Sequence, residues 1–377
     1  MKILFVIDQV YLHGGIERVL SIKANYFAAQ DDNEIHIITT EQKDNKPCYD
    51  FSTKISFQDI GVNYNRTKSY FHPINLLKLP KHVSKIRSAI KNIQPDVVVV
   101  CSHSTDTYFM PFVVKSVPKV KEFHFSKFIE EQPRKNPRNI LKKYFFKFTD
   151  FVEKKYDKLI ILNNNESGYY KTDNTVVIPN PLTFYPDSVS ELKDKIVISA
   201  GRIAPVKGFD ILIDIWELVH QKNKDWELHI YGDGDQGYVE MLQDKINQKG
   251  LQHNLILKGS TDNVKSKMLS SSIYAMSSHN ECFPLVLLEA QSCGLPIISF
   301  DCPHGPRSII NEENGCLVEL YHKEEFSEKL LALMSNPEQL KAFGANAREN
   351  ASNFEVKKVM DMWQDMFNSL IFKNVQP

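Results

Sequence analysis

The feature that most restricts this chain is a pattern that occurs twice. "KILFVI" at residues 2–7 is an unbroken apolar run, followed by the pair Gly14-Gly15 and then by helical spacing at Val19, Leu20, Ile22 and Phe27. "KIVISAGR" at residues 195–202 starts the same succession, and "GFDILIDIWELVHQ" continues it, with Leu212, Ile213, Trp216 and Val219 on one face. Continuous apolar runs this short fit strands buried on both faces, which means parallel sheets covered by helices. "EIHIITT", "DVVVVCS" and "KLIILNN" extend the first set. "WELHIYGDG", "NLILKGS", "IYAMSS" and "PIISF" extend the second. Helix-like stretches such as "NLLKLPKHVSKIRSAIKNI" alternate with them, and the α/β alternation predicts two doubly wound domains. The break falls in "TVVIPNPLTFYPDSVSELKDK", which carries three prolines and many polar residues. The expected domains are therefore 1–180 and 181–354, followed by an amphipathic helix at 355–377 with Val356, Val359, Met360, Trp363 and Phe367 on one stripe.

Bulk properties exclude several classes. At 377 residues and 42% hydrophobic, the chain suits two buried cores. Lys+Arg and Asp+Glu both number 46, so bulk charge argues against a nucleic-acid partner. The six cysteines form no C-x-x-C pair and no zinc spacing, which suits a reduced cytoplasmic chain. "MKILFVIDQV" acquires Asp8 too soon for a signal peptide, and no apolar run approaches the ~20 residues that span a bilayer.

Four segments are candidates for chemistry. "HGGIER" places Gly14 and Gly15 between a strand and a helix, where backbone amides favour an anion, although from these residues alone an ordinary tight turn is the favoured reading. "SAGRIAPVKGFD" puts Arg202 and Lys207 on one loop at a strand's carboxyl end, in the crevice where open α/β sheets bind ligands. Arg grips a phosphate with a planar fork and Lys meets it as a point charge. "ECFPLVLLEAQSCG" sets Glu281 before a helix and Glu289 within its first turns, with Pro284 expected at the first helical position and the end near Cys293-Gly294. Taken alone, the two glutamates read equally as helix capping or as partners of sugar hydroxyls. "RKNPRNILKKYFFKF" carries Arg134, Lys135, Arg138, Lys142, Lys143 and Lys147 beside an apolar stripe of Ile140, Leu141, Tyr144, Phe145 and Phe148. That stripe is expected to cover a core, with the cations in solvent; an anionic membrane surface or a lipid pyrophosphate is the other reading. Asp233-Gly-Asp235 reads as a strand-end turn rather than a metal site.

In order, the motifs are a Gly-Gly turn, G-R-x-x-x-x-K-G, a G-x-G strand end, two glutamates eight apart and D-x-P-x-G-P. This succession resembles the fourth family of retaining glycosyltransferases, over nearly the whole chain and most specifically in its C-terminal half. "DCPHGPRSII" looks most like bacterial transferases that build surface polysaccharides or lipid-linked oligosaccharides. The resemblance implies a GT-B fold, two facing Rossmann-like domains with a cleft between them, and a C-terminal helix that returns to the first domain. It implies a nucleotide-diphosphate sugar, a UDP-sugar by expectation, as donor. The acceptor would be a saccharide or a polyprenyl-diphosphate-linked one. No metal or other cofactor is expected, and peripheral contact with the cytoplasmic face of the inner membrane is.

Roles follow from the same resemblance. Arg202 and Lys207, with Gly14, Gly15 and the backbone at Leu285 and Val286, would hold the diphosphate. Glu281, Phe283 and Pro284 would meet the donor sugar, the last two through backbone, although a proline offers no N–H. Glu289 would take the ribose, Gly259, Ser260 and Thr261 the base, and His124 in "KEFHFS" would lie near the reacting carbon. Arg138, Lys142, Lys143 and Lys147 would face acceptor or membrane. The catalytic set is thus Glu281, His124, Arg202 and Lys207. A GT-B nucleotide-sugar epimerase and a non-catalytic nucleotide-sugar binding protein are the alternatives. A nicotinamide enzyme is disfavoured because no G-x-G-x-x-G follows the first strand.

Overall fold

The structure, a computed structural model, describes the backbone of residues 1–373 and side chains to residue 371. The chain divides into two compact units: residues 1–181 with 356–377, and residues 182–355.

The first unit holds a seven-stranded parallel sheet: β1 (Lys2–Ile7), β2 (Glu34–Thr39), β3 (Ser56–Asp59), β4 (Val97–Val100), β5 (Lys119–Glu122), β6 (Lys158–Ile161) and β7 (Thr175–Val177), in the order β3-β2-β1-β4-β5-β6-β7. β1 pairs with both β2 and β4, Ile3 facing Ile35 on one side and Val97 on the other. Strand alternation sorts the apolar run into two cores. Ile3, Phe5 and Ile7 pack with Leu20, Ala24 and Phe27 of the helix Gly15–Ala28, and with Val359, Met360, Trp363 and Phe367 of the final helix Val356–Lys373. Leu4 and Val6 pack on the other side with Ile86, Ala89 and Ile90 of the helix Leu79–Ile93. Residues 374–377 of the expected tail helix lie outside the described residues.

The second unit holds β8 (Ile196–Ala200), β9 (Glu227–Tyr231), β10 (Leu255–Gly259), β11 (Ile273–Met276), β12 (Ile297–Phe300) and β13 (Gly315–Val318). They form a parallel sheet in the order β10-β9-β8-β11-β12-β13. Strand order reverses beside β1 and beside β8, which opens a crevice at the carboxyl ends of β1/β4 and of β8/β11. Trp216 anchors the second core, fully buried, and its indole N–H donates to Asn254 Oδ1 at 3.2 Å.

Three expectations need correction. "NLLKLPKHVSKIRSAIKNI" is two helices, Pro73–Leu76 and Leu79–Ile93. Pro80 cannot sit in a helix interior, so a new helix begins around it. Pro284 stands one position earlier than expected, as N-cap of the helix Leu285–Ser292, with an extended ψ of 106°. The stripe on the helix Ile140–Glu153 does not cover the core. Leu141 is 75% exposed, and Ile140, Tyr144 and Phe148 are exposed as well, while Phe146, Thr149, Val152 and Glu153 face inward. The inward positions follow helical spacing from Phe146, and Arg134 fixes that face by bonding Asp150 Oδ1 at 2.7 Å.

Strands β3, β5, β7 and β13 escaped the sequence pattern, and β7 (Thr175–Val177) lies at the start of the stretch read as the break between domains. β3 is four exposed residues at the sheet edge. β5 reads Lys-Val-Lys-Glu, yet all four residues are buried. Lys119 Nζ donates to the carbonyls of Val114 and Val117 at 3.0 and 2.6 Å, and Lys121 Nζ to those of Val100, Ser102 and Glu122. Burial pushes both ammonium groups down to about 8.

Candidate active site

In the second unit, the loop after β8 and the loop after β11 are locked together. Gly208 caps the helix Phe209–Lys222 at φ 64°, and a Cβ there would stand 2.2 Å from the Ser277 carbonyl oxygen. Only glycine permits both that conformation and that approach. His279 N–H donates to the Val206 carbonyl at 2.8 Å, and Ser277 Oγ to the Lys207 carbonyl at 3.2 Å. Gly232 and Gly234 after β9 do the same for the start of the loop: a Cβ on either would lie 1.9 Å from the carbonyl oxygen of Gly201 or Ile203.

The result is a direct contact between two of the residues singled out above. Lys207 Nζ meets Glu281 Oε1 at 2.6 Å, with both side chains mostly but not fully covered. Glu281 is held from behind, because Gly305 N–H donates to its carbonyl at 2.9 Å and a bridge pairs it with His304. The "DCPHGPR" segment therefore props the carboxylate against the lysine. Arg202 is exposed and joins no ion pair among the described residues. A bound anion would thus find one cation open and a second shared with a carboxylate.

Glu289 takes a different position. It is 4% exposed, and Thr183 Oγ1 donates to its Oε1 at 2.6 Å. Phe283 is buried against Phe354, ring centroids 5.6 Å apart, so its side chain belongs to packing and only its backbone is available to a ligand. Leu285 and Val286 are half-buried in the first turn, where helical amides lack intrahelical acceptors. Gly259 ends β10 at φ 71°, and Gly259 and Ser260 are exposed with Thr261 half-buried beside them. Asp235 caps the helix Gln236–Gln248 by accepting from Tyr238 N–H at 3.1 Å, and Asp233 accepts from Gly234 N–H at 2.8 Å. Both are engaged in turn and cap. No group of three or more His, Cys, Asp or Glu suited to a metal ion occurs among the described residues.

In the first unit, Gly14 is N-cap of the helix Gly15–Ala28. Sequence reading missed its neighbour Glu17, whose Oε2 lies 2.3 Å from where a Gly14 Cβ would stand. Gln9 Nε2 donates to Glu17 Oε1 at 2.6 Å. Burial raises the Glu17 carboxyl, its own backbone amide opposing. A carboxylate thus occupies the anion-favouring end of this helix.

His124 follows β5. Its Nε2 lies 3.0 Å from Glu122 Oε2, and the same carboxylate accepts from Lys23 Nζ on Oε1. Burial opposes ionisation of Glu122, but Lys23 first and His124 next pull its carboxyl far below the usual range. In the same unit, Arg66 NH2 bonds Glu41 Oε1 at 2.6 Å and stands 3.8 Å from Asp8 Oδ2. Burial, and then the Asp106 charge, push Asp8 up to about 6.

Lys23, Glu122, Glu41 and Arg66 were not singled out from the sequence. Two signals were present. Glu122 and His124 are two apart across a strand end, which puts them on one face. Lys23 interrupts the apolar face of Leu20, Ala24 and Phe27.

Arg138, just before the helix Ile140–Glu153, and Lys142, Lys143 and Lys147 on it are all exposed beside the outward apolar side chains. A groove of about 1020 Å³ runs along it, lined by Phe71, Tyr108, Leu141 and Phe145 with Arg138 and Lys142. Among the described residues, no helix is long and apolar enough to cross a membrane.

Residues 184–350 match the family described as glycosyl transferases group 1. An uncharacterized glycosyltransferase of Haemophilus influenzae is 28% identical, covering 96% of this chain and 99% of that one. The amylovoran biosynthesis glycosyltransferase AmsD of Erwinia amylovora is 25% identical, covering 97% of this chain and 99% of that protein. Among solved structures, HepE of Anabaena in complex with UDP superposes with a TM-score of 0.77 at 19% identity, over 98% of this chain and 100% of that one. That likeness bears on the fold, and the fold is GT-B.

Proposed function

We propose that this chain, a GT-B glycosyltransferase whose residues 184–350 match the group 1 family, moves a sugar from a nucleoside-diphosphate sugar to a bacterial surface glycan or its lipid-linked precursor, with retention at the anomeric carbon. AmsD, named for amylovoran biosynthesis, supports the glycan class, and the UDP complex of HepE supports uridine as the base. The observation that carries the reading is the Lys207–Glu281 contact at the carboxyl end of β8, beside the open charge of Arg202.

Breaking the sugar–phosphate bond puts negative charge on the diphosphate and positive charge on the sugar. Lys207 is held in place for the first, Arg202 stands open on the same loop, and charge placed where charge develops contributes most of the acceleration in many enzymes. Glu281, bonded to Lys207 through Oε1, would accept from sugar hydroxyls on its other oxygen. Glu289 serves the ribose from within the helix. The two cations take the part that a divalent ion plays elsewhere, so chelators would leave the rate unchanged. The acceptor attacks on the face that the diphosphate leaves, and no protein nucleophile is required.

The exposed side chains of the helix Ile140–Glu153, its three lysines and Arg138 before it bring this unit onto an anionic membrane surface, where a lipid-linked acceptor resides.

The test begins with a panel of nucleotide sugars screened for thermal stabilisation, since a ligand of the folded state raises the midpoint. The stabilising donor is then incubated with and without saccharide acceptors, and the anomeric configuration of the product is read by NMR. An epimer formed from the donor alone would replace the transferase reading by the epimerase one. An inverted product would remove retention.

A further inference from the structure

We infer that Lys23 and Glu122 are positioning residues for His124: the buried ammonium fixes Glu122 as an acceptor, and Glu122 keeps the imidazole proton on Nε2, leaving Nδ1 to accept. This rests on the transferase reading for its purpose, which is to meet a donor-sugar hydroxyl, but its geometry stands apart.

The three groups come from separate places in the chain. Lys23 lies in the helix Gly15–Ala28, Glu122 ends β5, and His124 follows. Lys23 is fully buried and Glu122 is 3% exposed, a costly arrangement for two charges unless each is well satisfied. Each is. Glu122 takes Lys23 on Oε1 and His124 on Oε2, and the Cys101 thiol donates to Oε1 at 3.3 Å. Lys23 lies over the Trp363 ring, 3.9 Å from its centroid, with Phe5 on another side. The final helix thus seals the lysine from water through Trp363. An ionised carboxylate offers no proton. The proton between Glu122 and His124 must therefore sit on Nε2, and an imidazole held that way has one defined acceptor nitrogen. The same logic sets the tautomer in acid–base triads. A structural salt bridge alone would not need to end on a histidine beside the sheet's carboxyl edge.

The experiment reads the tautomer and the rate separately. Long-range ¹H–¹⁵N spectra of the ¹⁵N-histidine protein give the Nδ1 and Nε2 shifts, and the His124 signal among the 12 histidines is the one lost in His124→Gln. The wild type should show the Nε2–H form alone. Glu122→Gln and Lys23→Met should each give mixed tautomers. Each should also lower kcat by on the order of 10–100-fold, with KM for the donor within about threefold. Should Lys23→Met alone fail to fold, the charge-free pair Lys23→Met with Glu122→Gln replaces it, with the same expectations. An unchanged tautomer in these variants, or a kcat that falls only with the folded fraction, overturns the proposal. A wild type that transfers no sugar, but whose Nε2–H tautomer is lost in Glu122→Gln, supports the positioning and removes the transferase reading instead.

Discussion

The crevices at the ends of the two sheets handle charge in opposite ways. In the second unit, the Lys207 and Glu281 side chains are 25% and 13% exposed, and Arg202 stands open beside them. In the first, the side chains of Lys23, Glu122 and His124 are 0%, 3% and 6% exposed. The Lys207–Glu281 pair still meets solvent, so an incoming anion can compete for its lysine. Breaking a buried pair by removing one partner costs about 3–5 kcal/mol, so such a pair holds geometry and does not exchange. On the proposed function, the second unit trades partners with a charged ligand. On the positioning proposed for His124, the first orients an uncharged contact.

The sharpest way to break that contrast is at Lys207. Lys207→Ala should lower kcat/KM for transfer by at least about 100-fold, the scale for loss of one preorganised donor, and near-wild-type turnover would end the diphosphate role. Glu281→Ala tests the exchange itself. Transfer should fall by about 100-fold, while calorimetry should find nucleoside-diphosphate binding as tight as in the wild type or tighter, because Lys207 is released. Weakened diphosphate binding would show that the glutamate organises the lysine rather than competing for it.

Buried acids of the first unit give a pH signature. Asp8 rises from 3.8 to about 6 on folding, so the folded state binds the proton more tightly than the unfolded chain does. Stability from this group is therefore present at low pH and is lost as pH rises from about 4 to about 6. Asp8→Asn should remove that loss, gaining about 2 kcal/mol on the wild type between pH 4 and pH 7 in denaturant titrations. Parallel curves for the two proteins would place the Asp8 carboxylate in water instead. The smallest effect concerns the outer helix. Each Lys→Glu change at Lys142, Lys143 or Lys147 should weaken sedimentation with anionic liposomes at least about fivefold, and salt should weaken the wild type likewise. Binding that ignores both charge and salt would remove the membrane contact.

The contrast also explains what could be read from the chain alone. The second unit's loops announce themselves, because glycines and cations outside regular elements have few reasons to be where they are. Gly208, Arg202 and Lys207 stand in one short stretch. The first unit hides its machinery in places where pattern reading expects apolar side chains. β5 is polar in sequence and fully covered in the fold, because its lysines bond backbone carbonyls and Glu122 bonds Lys23. Periodicity cannot announce such a strand. The outer helix failed for the reverse reason. Aromatic and aliphatic residues surround most of its circumference, and which face turns inward is settled by Arg134, Asp150 and Phe146 rather than by hydrophobicity.

The return of the last helix to the first unit has a consequence in time. The second unit is one unbroken stretch, whereas the first needs residues 356 onward to complete the layer that includes Trp363. A ribosome adding about 5–20 residues per second makes the seat for Lys23 long before it makes the lid. For that interval the newborn first half carries a lysine among apolar side chains with Trp363 still to come. The order of maturation is therefore inverted: the half that is synthesised first is the half that finishes last.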